Sequence, residues 1–349
     1  MAVRLTVPNR VLLLWRHSMV SSGAGRFCPV DYQISPAAFS VANTLVECDV
    51  LYVVGGLYGN TEALELIVKA FEAEPARHKQ MVFNGDFHWF DIGDDEFSTI
   101  EKKTSPYLRL RGNVETELAR VRASEDHDAG CGCAYPDDVA DRDVNYSNQI
   151  IRILRQTYLR GRTSGKFADL GSLDMTARIQ VGSAAVAITH GDDESLAGWK
   201  LAHNRVKGTI NAGLAQRMKA RSVDVLASSH TCLPVLCKDN GLTVVNNGAA
   251  GLANFTSNTA GLITRIAAQE HGFEPDIAPG LVKTLPCAYA TQVPSGLVIE
   301  ALHVPFNDDL WQQKFLNQWS ADSPAYLSYW SRMTTGPRYS ITEAMQYEY

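Results

Sequence analysis

The sequence predicts an α/β layered fold. Three observations carry that expectation: short apolar runs that read as buried strands, glycine-bearing turns where those runs end, and helical spacing in the segments that follow. Residues 49–54 read as a strand ending at Gly55-Gly56. Residues 61–74 then carry Leu64, Leu66, Ile67, Ala70 and Phe71 on one helical face. Residues 80–84 and 107–111 read as a second and third strand, each running into a polar cluster with a glycine in it. Open α/β sheets place their ligands at the C-terminal ends of strands, where these clusters fall.

Between 117 and 176 the pattern changes. Residues 124–143 are polar and Asp-rich, with Cys131-Gly132-Cys133 inside, and 144–160 read as a helix through Ile150, Ile151, Leu154 and Leu159. This stretch is expected to be an inserted cap over the strand ends, since a long insertion in a compact domain is functional or disordered. Residues 177–188 read as a hairpin through Gly182-Ser183, 200–221 as a helix, and 223–227, 242–246, 262–267 and 297–303 as strands. The tail is helical and aromatic, with Trp311, Phe315, Trp319, Tyr326, Tyr329 and Trp330, a composition found in cores and in subunit interfaces. The expected organisation is a segment 1–48, a main domain 49–305 and a helical extension 306–349, whose aromatic face would serve any homo-oligomer.

The chain has 349 residues, 45% hydrophobic and 20% charged, enough for one large domain with additions. A net charge of −6 argues against a general nucleic-acid surface. The apolar runs at 11–15 and 184–188 are too short to span a bilayer or to serve as a secretory signal. Seven cysteines, an odd and sparse set, favour a reducing compartment, and a cytoplasmic location is expected. Residues 1–27 carry Arg4, Arg10, Arg16 and Arg26 with no acid before Asp31, so a mitochondrial presequence, and a matrix location, is the alternative. The same stretch also reads as a first strand over 10–16 followed by a Ser/Gly loop.

Five fragments fall in order along the chain: Gly55-Gly56-Leu57-Tyr58-Gly59-Asn60, Gly85-Asp86, Gly112-Asn113-Val114-Glu115, His190-Gly191-Asp192 and Ser229-His230-Thr231-Cys232. Each polar residue alone has a plain reading: a helix cap for Asp86, a turn for Asn113, a structural histidine for His190 or His230. Together, after strands and beside glycines, they suit a centre for Zn, Mn or Fe, which accept mixed nitrogen and oxygen ligands. The order resembles the calcineurin-like metallophosphoesterase superfamily, in particular its small bacterial-type phosphodiesterases, over about residues 49–265. The resemblance implies a four-layer sandwich of two mixed sheets flanked by helices. It implies one metal, at a site here termed B, held by Asp86, Asn113, His190 and His230. It also implies hydrolysis of a small phosphoester or nucleotide by hydroxide generated there.

The departures concern the other metal of that family, site A, whose positions hold Gly56, Tyr58 and Cys232. Three explanations compete: a single-metal enzyme, a second site rebuilt from new ligands, or a non-catalytic descendant that binds a ligand or partner. Tyr58, Cys232, Cys131 and Cys133 are the candidate ligands for a rebuilt site, with His127, Asp128 and His88 nearby. Val114 replaces the family's leaving-group histidine, and His88 is the nearest substitute. Glu115 keeps an acidic position and is expected to orient its neighbours. Arg111 is a candidate phosphate clamp. Asn247 and Gly248 lie in a glycine-rich turn that would offer N–H groups to phosphate.

Overall fold

The computed structural model describes residues 23–120, 130–272 and 285–346. The strand reading over 10–16 and all but the end of the presequence stretch lie outside them. Two mixed sheets face each other. In spatial order the larger contains β1 (Thr44–Cys48), β5 (Thr176–Val181), β6 (Ala184–Thr189), β7 (Val225–Ser228), β9 (Leu242–Asn247), β8 (Pro234–Asp239) and β13 (Met345–Gln346). The smaller contains β11 (Cys287–Gln292), β12 (Leu297–Val304), β10 (Gly261–Ala268), β2 (Val50–Val54), β3 (Lys79–Asn84) and β4 (Leu108–Leu110). The helices are α1 (Thr61–Glu72), α2 (Asp94–Thr104), α3 (Asn113–Ala119), α4 (Asp141–Thr163), α5 (His203–Val206), α6 (Ala212–Ala220), α7 (Asp308–Gln318), α8 (Pro324–Thr335) and α9 (Ile341–Ala344).

The unbroken apolar runs are what a strand buried on both faces requires. Along β2, Val50, Tyr52 and Val54 point to one cluster and Leu51 and Val53 to another, the two-residue alternation of a strand. The first cluster joins β2 to Leu64 and Ile67 of α1, Phe97 of α2, Ile150 and Leu154 of α4, and Phe315 of α7. The second fills the space between the sheets, with Val186 and Ile188 of β6 and Ile266 of β10. On the far face of the larger sheet, Leu214 and Met218 of α6 cover Leu226 and Val244. The result is the expected four-layer α/β sandwich. No helix among the described residues is long and apolar enough to cross a membrane.

Parallel pairing sets the position of the site. β2, β3 and β4 run parallel in one sheet, and β6, β7 and β9 in the other. Their C-terminal ends deliver four of the five fragments from β2, β3, β6 and β7, and the fifth follows β4, all at one edge of the sandwich.

Three features differ from the sequence reading. The helix expected over 200–221 is broken into α5 and α6, because Lys207 and Gly208 take positive φ and Asn211 caps a new start by accepting from the Gly213 and Leu214 N–H groups. The β8–β9 hairpin was not anticipated, although Asn240-Gly241, both at positive φ, is the strongest short hairpin signal in a sequence. The insertion is not a separable cap. Its helix α4 buries Ile150, Ile151, Leu154 and Tyr158 in the same cluster as the central strands, so it is part of the main core. The tail aromatics also belong to this chain's own core: Trp311, Phe315 and Trp319 are buried, and the Trp319 indole N–H donates to the Phe90 carbonyl at 2.8 Å.

Candidate metal centre

Asp86 follows β3, Asn113 opens α3 after β4, His190 follows β6 and His230 follows β7. Close approach is possible because Gly112 has no side chain: a Cβ there would lie 2.7 Å from Asp86 Oδ1 and 2.9 Å from His190 Nε2. His190 Nε2 is the hub. It lies 3.3 Å from Asp86 Oδ1, 3.1 Å from Asn113 Oδ1 and 3.2 Å from His230 Nδ1. Asp86, His190 and His230 are the only His, Cys, Asp or Glu cluster of metal-binding geometry among the described residues.

The protons of these groups point outward. A carbonyl oxygen can only accept, so the bond from His190 Nδ1 to the Asn84 carbonyl (2.8 Å) places a proton on Nδ1, and in the neutral ring the lone pair is on Nε2. His230 Nε2 donates to the Cys133 carbonyl at 3.0 Å, leaving its Nδ1 lone pair inward. Asn113 Nδ2 donates to the Cys131 carbonyl at 2.9 Å, turning Oδ1 inward. The Cys131-Gly132-Cys133 loop thus orients two of the four groups through its backbone, as outer partners of metal ligands do.

The electrostatics favour a cation. Burial pulls the His190 pKa down, but the Asp86 carboxylate and the Asn84 carbonyl more than offset it and raise it above the ordinary value. The centre therefore draws positive charge. Burial, with His190 beside it, pushes His230 down to about 4, so its inward lone pair is free at neutral pH. Beneath the centre, Glu115 is fully buried. It accepts from the N–H groups of Asp86 (2.9 Å), Phe87 (3.1 Å) and Gly112 (2.8 Å), tying the loops after β3 and β4 together. Asp86 itself has φ 54°, an uncommon conformation for a non-glycine residue and one that concentrates at functional sites.

The site A positions form a mutually adjusted set. The Tyr58 ring folds back over Gly56, where a Cβ would meet it at 3.0 Å. The Tyr58 hydroxyl lies 2.8 Å from Cys232 Sγ. Burial raises both groups, so a neutral phenol–thiol pair occupies this corner. Cys133 lines the cavity with its Sγ 3.5 Å from Asn113 Nδ2, whereas Cys131 is buried behind it. His127 and Asp128 lie outside the described residues. Tyr58, Cys133 and Cys232 line a cavity of about 40 Å3 together with Asp86, Asn113, Trp199 and Tyr329. That is room for a few waters and far below the volume of a ligand pocket.

Four sequence expectations need correction. His88 is no leaving-group acid for this cavity: its nitrogens are engaged by Asp91 (2.6 Å) and Glu101 (3.2 Å), and its ring stacks on Phe97. Arg111 does not line the cavity; its guanidinium donates to the Gly171 carbonyl at 2.9 Å. Asn247 Nδ2 is bound to the Gly55 and Leu262 carbonyls, which stitches the two sheets together. The Gly248 N–H donates to Asn246 Oδ1, and those of Ala249, Ala250 and Gly251 are also taken within the protein, so this turn cradles no anion. Residues the sequence did not single out for the site are Trp199, which donates to the Cys133 carbonyl at 2.7 Å, and Tyr135 and Tyr329, which wall the cavity.

His88 has a measurable consequence. Burial lowers its pKa, but Asp91 and Glu101 outweigh burial and raise it from 6.5 to about 9. A folded-state pKa above the unfolded value gives stability that is full below about 6.5 and lost as pH rises through 9, roughly 3 kcal/mol in all. Urea denaturation at pH 6 and pH 9.5 should show the stability gap between wild type and His88→Gln narrowing by that order. A gap independent of pH would contradict the charged pairing.

No family model matches the sequence, and no curated protein sequence matches it. Among solved structures, the chain resembles the hypothetical protein PH1004 from Pyrococcus horikoshii OT3. The TM-score is 0.53 and the identity 13%, over 84% of this chain and 100% of that one. A metallophosphoesterase from Sphaerobacter thermophilus aligns at 13% identity and TM-score 0.46, over 83% of this chain and 100% of that one. At such identities the first likeness establishes a shared fold and nothing about activity.

Proposed function

We propose that this chain, built on a metallophosphoesterase-type sandwich, binds one transition metal and hydrolyses small phosphoesters. The observation that carries the reading is the convergence of four lone-pair atoms, from Asp86, Asn113, His190 and His230, with the N–H protons of the last three turned away. Mixed nitrogen and oxygen donors fit Zn, Mn or Fe. Such an ion, when bound, lowers the pKa of a coordinated water and draws charge from phosphoryl oxygens.

The chain's own residues do the rest. Glu115 fixes the spacing of the loops, and the Cys131 and Cys133 carbonyls fix the orientation of Asn113 and His230. Tyr58 stays protonated in its buried corner and lines the cavity beside Cys232. Val114 supplies no proton to a departing alkoxide and His88 is fully engaged, so esters with good leaving groups are favoured.

The test is metal content by elemental analysis, with hydrolysis of p-nitrophenyl phosphate and bis-p-nitrophenyl phosphate. One metal per chain and chelator-sensitive turnover are expected. A metal-bearing chain that hydrolyses neither ester would instead favour a binding protein, the reading supported by a cavity too small for a phosphoester. A folded chain that takes up no metal would end both readings.

The replaced corner has its own test. Restoring the family's side chains in the triple variant Gly56→Asp, Tyr58→His, Cys232→His is expected to raise metal content from one per chain to two. All three positions have positive φ, which Asp and His tolerate better than most residues. A folded triple variant that still holds one metal would show that more than these three residues separates this chain from a two-metal site.

A further inference from the structure

Beside the metal cavity a groove of about 380 Å3 opens to the surface, lined by Tyr135, Arg142, Asp143, Ser147, Tyr329 and Arg332 among others. Its volume is that of a small-ligand pocket. Tyr135 and Tyr329 line both spaces, so their side chains form the partition between groove and metal cavity.

The charged groups of the groove are not alike. Arg142 is exposed and lies 3.4 Å from Asp143. Arg332, on α8, is half-buried and held by neutral acceptors. Its Nε donates to the Ala253 carbonyl at 2.9 Å and its Nη2 to the Cys232 carbonyl at 2.7 Å. It also lies against the Cys232 thiol, and it makes no ion pair among the described residues. A guanidinium fixed in place, uncompensated and facing a groove is a site for an anion, and phosphate matches its fork. Its place adds to this. Arg332 grips the loop that carries Cys232, so the chain brings a fixed positive charge to the corner where the Tyr58–Cys232 pair stands. That charge pulls the Cys232 thiol down against the larger effect of burial.

We propose that this groove is the docking site for the anionic end of an organic phosphate, gripped by Arg332, with Tyr135 and Tyr329 as the partition it passes to reach the metal. The organic arm would lie along Tyr135 and Leu327, the apolar part of the lining. The proposal rests on the hydrolase reading for what happens past the partition, but the binding step stands without the metal.

The experiment measures binding of inorganic phosphate and phenyl phosphate to the full chain by calorimetry, as purified and after chelation. The chelated chain is expected to keep binding phenyl phosphate, with affinity that falls as salt rises. Arg332→Gln, which can still donate to the carbonyls, should weaken it about tenfold or more, and Arg332→Lys should restore most of the loss. Unchanged affinity in Arg332→Gln, or no binding after chelation, would overturn the proposal. If Arg332→Gln does not fold, Ser328→Asp, which adds a negative charge to the groove lining, must weaken binding to the same degree or the proposal falls. Tyr329→Ala should speed metal loss to a chelator several-fold, and an unchanged rate would overturn the partition. A chain that binds phosphate through Arg332 but hydrolyses nothing would count against the hydrolase reading alone.

Discussion

Replacing His190 or Asp86 with alanine is expected to strip the chain of its metal, with affinity reduced by about 100-fold or more. His190 Nε2 is the hub of the centre, within 3.3 Å of each of the other three inward atoms. Its loss removes a donor and also the group that fixes the spacing of the rest. Asp86 supplies the only carboxylate in the cluster, and without it two neutral imidazoles and an amide face the ion with no charge to balance it. Elemental analysis and a competition titration against a chromogenic chelator read the effect directly. Activity on p-nitrophenyl esters should fall with metal content. Unchanged metal content in both variants would remove the basis of the assignment.

Glu115→Gln should destabilise the protein by about 3 kcal/mol without removing any of the four inward groups of the centre. The carboxylate is acceptor-only and receives three backbone N–H groups from Asp86, Phe87 and Gly112. A glutamine can accept with one atom only, and its NH2 then faces N–H groups that have no water to turn to, since the residue is fully buried. The burial and the nearby Asp86 already raise the Glu115 pKa, so part of this penalty is present in the wild type at low pH. A urea titration at neutral pH gives the number. Wild-type stability in Glu115→Gln would show that the loops after β3 and β4 are held by something else.

Much of the core was readable in the sequence, because strands buried on both faces leave unbroken apolar runs and the polar turns at their ends leave short, ordered fragments. The convergence of Asp86, Asn113, His190 and His230 was readable because each sits one to three residues after a strand. The corrected residues share a different property. His88, Arg111 and Asn247 all lie at or just after strand ends, and their roles depend on which way the side chain leaves the backbone. His88 turns into the cluster around Phe97 and Asn247 turns toward the other sheet. Spacing along the chain does not encode that direction. Arg332 is the extreme case: its partner carbonyl at Cys232 is a hundred residues away, on a helix that composition alone assigns to the core. The insertion was read as a cap alone for a related reason: its loop lines the cavity, but its helix belongs to the core. Amphipathic spacing in α4 shows that the helix covers something, and a core layer and a lid leave the same pattern.

The carbonyls of Cys131 and Cys133 set a condition on assembly. Two of the four inward groups take their orientation from this loop, which is separated along the chain by 18 residues from Asn113 (Cys131) and by 97 from His230 (Cys133). The four groups themselves follow four different strands and are spread over residues 86–230. No short stretch of nascent chain contains a usable donor set, so an ion cannot template this fold as it does a zinc finger, where metal binding and folding are one event. Contacts of such long sequence separation form only after slow, non-local closure of the chain. The metal would therefore arrive last, at a finished protein, and the fold would outlive its removal.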